Sequence, residues 1–159
     1  DAGGRRIKRS VLLEISGIRF LDVEMLEHLK KSNLLSSYLE RKMKKIAHAN
    51  GEKSEEIPIS LNARKLTNVG TFRAYLVSYL KAHPGINSDL GLIVRQLEPT
   101  GEGLPIQIYA FTNTTNWNEY EAIQSDIFDH VLAILPEFSL RAHEAPTGHD
   151  VRALVAEHE

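Results

Sequence analysis

The chain has 159 residues, 42% of them hydrophobic and 25% charged, proportions that suit one globular domain with a single core and exclude a disordered or fibrous chain. It contains no cysteine, which rules out disulfides, thiolate metal centres and cysteine nucleophiles. The formal charge of −2 conceals an asymmetry: residues 1–83 hold 16 Lys or Arg against 9 Asp or Glu, and residues 84–159 hold 3 against 12. Charge runs of this kind are most often solvated helix faces. The remaining readings are an anionic partner, or self-association in which the basic part of one copy meets the acidic part of the next.

The N-terminal DAGGRRIKRS lacks the apolar stretch of a signal peptide and starts without Met, so it reads as a piece cut from a larger chain. Ile7 to Ile15 alternates, with Val11, Leu13 and Ile15 on one side of a predicted strand and Ser10, Leu12 and Glu14 on the other. Asp22 is placed to cap a short helix over VEMLEHLKK. Ser32 or Asn33 is placed to cap a second helix, whose apolar Leu35, Leu39, Met43 and Ile46 recur every three or four residues until Asn50-Gly51 stops it. Residues 52–66 have no helical period and carry Pro58, as a mobile connection would.

Asn68 opens a third helix with the stripe Val69, Phe72, Leu76 and Tyr79 or Leu80, ended by His83-Pro84-Gly85. LGLIVRQLEPTGEGLPIQIYAFTNT reads as a hairpin of two strands joined through PTGEGLP. Trp117, Tyr120, Ile123, Ile127, Val131 and Ile134 then sit at helical spacing, Pro136 ends the run, and FSLRAHEA reads as a last strand. The longest apolar runs, such as Val131 to Leu135, fall far short of the roughly 20 residues that a membrane-spanning helix needs.

With residues 32–66 set aside as a helical insertion after strand 1, the order is strand, helix, strand, strand, helix, strand. That order predicts an α+β, ferredoxin-like (βαββαβ) antiparallel sheet with two packed helices, occupying residues 1–150 and followed by a polar tail at 151–159.

Each candidate for chemistry has a plainer explanation. Gly101-Glu102-Gly103 contains G-x-G, but a Pro and a strand follow it where a phosphate site needs a helix N-terminus, so the glycines read as a turn with positive φ. Glu119, Glu121, Asp126, Asp129 and His130 crowd one helix, and Asp126 and His130 are four apart, yet two ligands make no metal site and acids are favoured at a helix start. Tyr109 and Phe111 alternate as the base-stacking aromatics of an RNA-recognition module do, but the basic residue and glycine of that motif are missing, and core positions are expected for both. Asn113-Thr114-Thr115 matches a glycosylation acceptor; the competing reading is that Asn116 and Glu119 form a capping box around the next helix start. No catalytic, cofactor-binding or metal-ligating residue is assigned, and no cofactor or nucleic-acid partner is expected.

Three stretches carry a likeness in both wording and order: GGRRIKRS at 3–10, RKLTNVGTFRAYLVSYLKAHPGIN at 64–87, and LIVRQLEPTGEGLPIQIYAFTNTTNWNEYEAIQSDIFDHVLAILPEF at 92–138. Together they resemble the C-terminal cytoplasmic part of a bacterial small-conductance mechanosensitive channel, specifically its miniconductance branch. The resemblance implies a non-enzymatic domain of an inner-membrane homo-heptamer that opens under tension in hypoosmotic shock. This domain would help to build a cytoplasmic vestibule that filters solutes, and the membrane would be reached only through a preceding part of the parent protein. The helical insertion would be typical of this branch. The alternatives are a stand-alone ferredoxin-like regulatory or ligand-binding module of the ACT type and, third, an RNA-binding module.

Overall fold

Alternating burial makes Arg6–Leu13 a strand, β1, with Ile7, Val11 and Leu13 turned into the core. In the computed structural model, which describes residues 3–51 and 65–144, six further elements follow: α1 (Val23–Leu29), α2 (Ser36–Ala49), α3 (Asn68–Ala82), β2 (Leu92–Gln96), β3 (Leu104–Phe111) and α4 (Trp117–Ile134). The expected connection at 52–66, except Lys65 and Leu66, and the expected tail at 151–159 lie outside the described residues.

The sheet is antiparallel in the order β1-β3-β2, with β3 in the centre. Of the three named strands β3 is the middle one, and Ile106, Ile108 and Ala110 on its inner face are completely buried. Beyond β1, an isolated antiparallel bridge joins Leu13 to Ala142, reinforced by Glu14 N–H donating to the Arg141 carbonyl at 2.8 Å and His143 N–H to the Leu12 carbonyl at 2.8 Å. With that segment as the fourth member, the lateral order is 4-1-3-2 and the fold is ferredoxin-like α+β, as the order of elements predicts.

The last strand is much shorter than FSLRAHEA suggests. A 3-10 turn runs through Leu135–Phe138, and Ser139 turns the chain in the left-handed region at φ 54°. Extended pairing therefore starts only after Leu140.

Between β1 and α3 lie two extra helices, whose Met25, Leu26, Leu29, Leu39 and Met43 join the same core as the sheet. Asp22 caps α1 as expected, its carboxylate accepting from Met25 N–H at 2.8 Å. α2 starts later than the sequence suggests: no side chain caps it, and Ser32 instead accepts from Leu34 N–H at 3.3 Å, inside the preceding turn. Its apolar stripe holds, with Leu39, Met43 and Ile46 buried, and Gly51 closes it at φ 71°. The helix lying on the sheet is α3, which packs against β2, whereas α1 meets the Leu135–Phe138 turn. On the inner side Phe72, Leu76 and Leu80 of α3 and Ile127 and Val131 of α4 are at most 0% exposed and share one core with β1 and β3.

The cap of α3 is Thr67, whose hydroxyl accepts from Gly70 N–H at 3.0 Å. Asn68, expected to open this helix, does occupy its first position, but its side chain does different work. Fully buried, it donates to the Gly17 carbonyl at 2.9 Å and the Phe138 carbonyl at 3.0 Å, and accepts from Arg19 N–H at 3.0 Å. The stretch after β1, the start of α3 and the turn after α4 thereby meet at one amide. Asn68→Ala should leave three backbone groups, the buried Phe138 carbonyl among them, without that partner and cost about 2 kcal/mol, read as a lower urea midpoint.

The β2–β3 hairpin turns at Gly101-Glu102, flanked by Thr100 N–H to Gly103 O at 2.9 Å and Gly103 N–H to Thr100 O at 3.1 Å. Only the second glycine has positive φ, at 111°, and a Cβ there would sit 2.5 Å from the Leu13 carbonyl oxygen. At the other end of β3, Asn116 caps α4 by accepting from Glu119 N–H at 3.0 Å. The return arm of the expected capping box is absent: Asn116 N–H donates instead to Thr114 Oγ1 at 3.1 Å. Asn116→Ala should cost about 1 kcal/mol in the same titration, and an unchanged midpoint would show that Thr114 suffices to order the turn.

Candidate functional site

Two polar regions stand out from the core packing. The first is the seam between α3 and α4. Tyr75 and Tyr79 of α3 and His83 at its C-cap follow one another at four-residue spacing, as Asp126 and His130 do on α4. The Tyr79 ring stacks on the His130 imidazole with centroids 4.2 Å apart and planes within 7°. The Tyr75 hydroxyl lies 2.6 Å from His130 Nε2. One turn further along, Gly85 N–H donates to His83 Nδ1 at 2.9 Å, which leaves Nε2 as the protonated nitrogen that donates to Asp126 Oδ2 at 2.8 Å.

The acid–histidine pair singled out on α4 is thus divided: Asp126 serves His83, and His130 serves Tyr75. Among the described residues no group of three or more His, Asp or Glu converges as a metal site. Burial pushes the Tyr75 hydroxyl upward, and burial, then the Asp126 charge, then Tyr75, push Tyr79 to about 12. Both phenols therefore stay neutral at physiological pH. Burial, which outweighs the opposing Asp126 charge and is aided by His83, lowers the His130 value below the ordinary 6.5. A neutral imidazole stacked on one phenol and hydrogen-bonded to another joins the two helices.

The second region is the sheet face turned away from α3 and α4. Register places Arg6 opposite Phe111, Lys8 opposite Tyr109 and Ser10 opposite Gln107 on one side of β3, and Ile93 opposite Tyr109 and Arg95 opposite Gln107 on the other. Side chains on this face alternate with the buried Ile7, Ile108 and Val11 series. Tyr109 and Phe111, expected in the core, stand here instead, edge to face at 5.6 Å, partly exposed. Arg6 lies over the Tyr109 ring at 5.9 Å, and Arg5 lies over the Trp117 ring at 5.2 Å. Trp117 is also not the core residue its spacing suggests, being 56% exposed in the first turn of α4.

Arg5, Arg6, Tyr109, Phe111, Trp117 and Tyr120 line an open groove of about 580 Å³ at this end of the sheet. Arg95 Nε donates to Gln107 at 2.9 Å, and among the described residues no carboxylate pairs with Arg5, Arg6, Lys8 or Arg95. Asn113 of the glycosylation-like triplet donates from its amide to the Pro84 carbonyl at 2.6 Å. The sequence marks Asp126 with His130 and Tyr109 with Phe111 but not the partners the fold gives them, although the four-residue spacing of Tyr75, Tyr79 and His83 is a readable signal of the seam.

These features belong to a ferredoxin-like α+β domain in which the seam groups join α3 to α4 and the sheet face carries exposed basic and partly exposed aromatic side chains. Residues 67–141, from the cap of α3 through the hairpin and α4 to the arginine beside the Leu13–Ala142 bridge, match the family described as mechanosensitive ion channel MscS, C-terminal. The match is a likeness over that segment, a little under half of the chain, to the C-terminal domain of that family. Among the described residues no helix is long and apolar enough to cross a membrane.

The seam gives a pH test. Because His130 binds its proton less readily when folded, the unfolded chain takes one up first as pH falls, so the contribution is present above about 6.5 and lost below it. His130→Gln should flatten the decline in stability between about pH 7 and 5 relative to the parent chain, measured by urea titration at each pH; parallel curves would remove His130 from the account.

Proposed function

We propose that this chain is the cytoplasmic vestibule domain of a bacterial inner-membrane mechanosensitive channel of the miniconductance branch. The channel opens under membrane tension in hypoosmotic shock, and this domain contributes to subunit assembly, as a homo-heptamer, and to solute filtering. The observation that carries the reading is the match of residues 67–141 to the MscS C-terminal family, a segment that includes α3, both hairpin strands and α4. The chemistry of the domain agrees with it. Among the described residues His83, His130 and Asp126 are engaged in the α3–α4 seam and His143 pairs with Glu14 at 2.7 Å, while other charges lie on outward surfaces suited to contact and to steering ions.

In this reading the vestibule domain is held in the cytoplasm while the tension-sensing and pore-lining helices belong to another part of the parent protein. The test is electrical. The complete reading frame that contains this chain, expressed in cells stripped of their own tension-activated channels, should give stepwise currents when suction is applied to spheroplast patches. Deleting residues 67–141 should abolish or strongly reduce them. Patches of the intact protein that stay silent up to rupture would overturn the proposal.

A further inference from the structure

The two-layer architecture sets opposite charges on opposite sides of the domain. On the open sheet face, Arg6 and Lys8 of β1 and Arg95 of β2 surround the partly exposed Tyr109 and Phe111 and the 52% exposed Ile93. None of the positions that the strand register places on this face is an acid. An apolar and aromatic centre rimmed by arginine has the anatomy of a protein contact surface.

The outer side of α4 has the complementary anatomy. Ile127, Phe128 and Val131 face the core, so Ala122, Asp126, Asp129 and Ala133, spaced by four, three and four, form its outward stripe, and all four are exposed. Glu119, also exposed, precedes the stripe by a turn, and Leu132, 47% exposed, stands on its flank. Two alanines leave room for close approach between three acids, and the exposed leucine supplies an apolar contact.

We propose that the open sheet face of one copy receives the outer face of α4 from a second copy. The charge complementarity selects this occupant: the basic face lacks carboxylate partners among the described residues, and beyond the first turn of α4, which borders that face, the helix carries exposed Asp129 and Asp126, the latter also held by His83. Because donor and acceptor surfaces differ, the contact is heterologous, and repetition from copy to copy closes a ring when the rotation per step allows it. This inference deepens the assembly role proposed above by naming the surfaces, and it rests on that reading only for the expectation that copies meet.

The 159-residue chain, followed by analytical ultracentrifugation from about 20 to 500 mM salt, should self-associate at low salt and weaken as exposed charges are screened. Arg6→Glu with Lys8→Glu should weaken association about tenfold or more at low salt, and so should Glu119→Lys with Asp129→Lys. A chain carrying all four reversals restores opposite signs across the contact and should associate again, a recovery that misfolding cannot produce. A monomer at every salt concentration, or reversals without effect, would overturn the inference. So would single-stranded RNA bound by the sheet face with self-association unchanged. None of these results bears on the tension-activated current, so the two proposals fail separately.

Discussion

The arrangement depends on one buried amide. Asn68 is inaccessible to solvent, and the two hydrogens and the oxygen of its side chain are taken up by backbone groups from segments far apart in the chain. Satisfying a buried polar side chain completely makes the start of α3 and the two partner segments interdependent, because moving any one leaves an atom of the buried amide unpaired. The Phe138 end of this junction also sets the aromatic packing, with Phe138 edge-on to Phe72 at 5.3 Å and tilted against Tyr75 at 5.4 Å. Through Tyr75 the same junction reaches His130 and the seam between α3 and α4.

The two helices are thus held in different ways at their two faces. Toward the sheet the contact is aliphatic and indifferent to pH. Along the seam it runs through phenol and imidazole rings, whose hydrogen bonds fix the rotation of each helix about its own axis. Fixing α4 in this way also fixes the direction in which Asp126 and Asp129 point, so the seam, although it carries out no reaction, decides which chemistry the outer surface presents.

Much of this was readable from residue spacing. The alternation in Ile7–Leu13, the stripes of α2, α3 and α4, the acidic cap at Asp22 and the glycine-containing hairpin are local patterns, and local patterns survive folding. The errors arose where a residue's role is set by a distant partner. Tyr109 and Phe111 are as apolar as their neighbours, and a period of two separates two faces without saying which will be covered. Trp117 falls on the core stripe of α4 by angle, but its ring is taken by Arg5 from before β1. For Asn68 the sequence predicts a helix start, since nothing local reveals three partners brought in from elsewhere. The last strand shrank because a 3-10 turn and a left-handed serine consume the residues that would have extended it.

The turn at Gly101–Gly103 has a reach beyond the hairpin it closes. Its left-handed glycine, pressed against the Leu13 carbonyl, locks β2 and β3 in one register. A slip by a single residue would exchange the two sides of β2 relative to β3, sending Arg95 toward the helices and Val94 toward the outside. The distinction between the dry side of the sheet and its charged side is therefore a discrete choice, made by the handedness of one residue and inherited by every surface that the sheet presents.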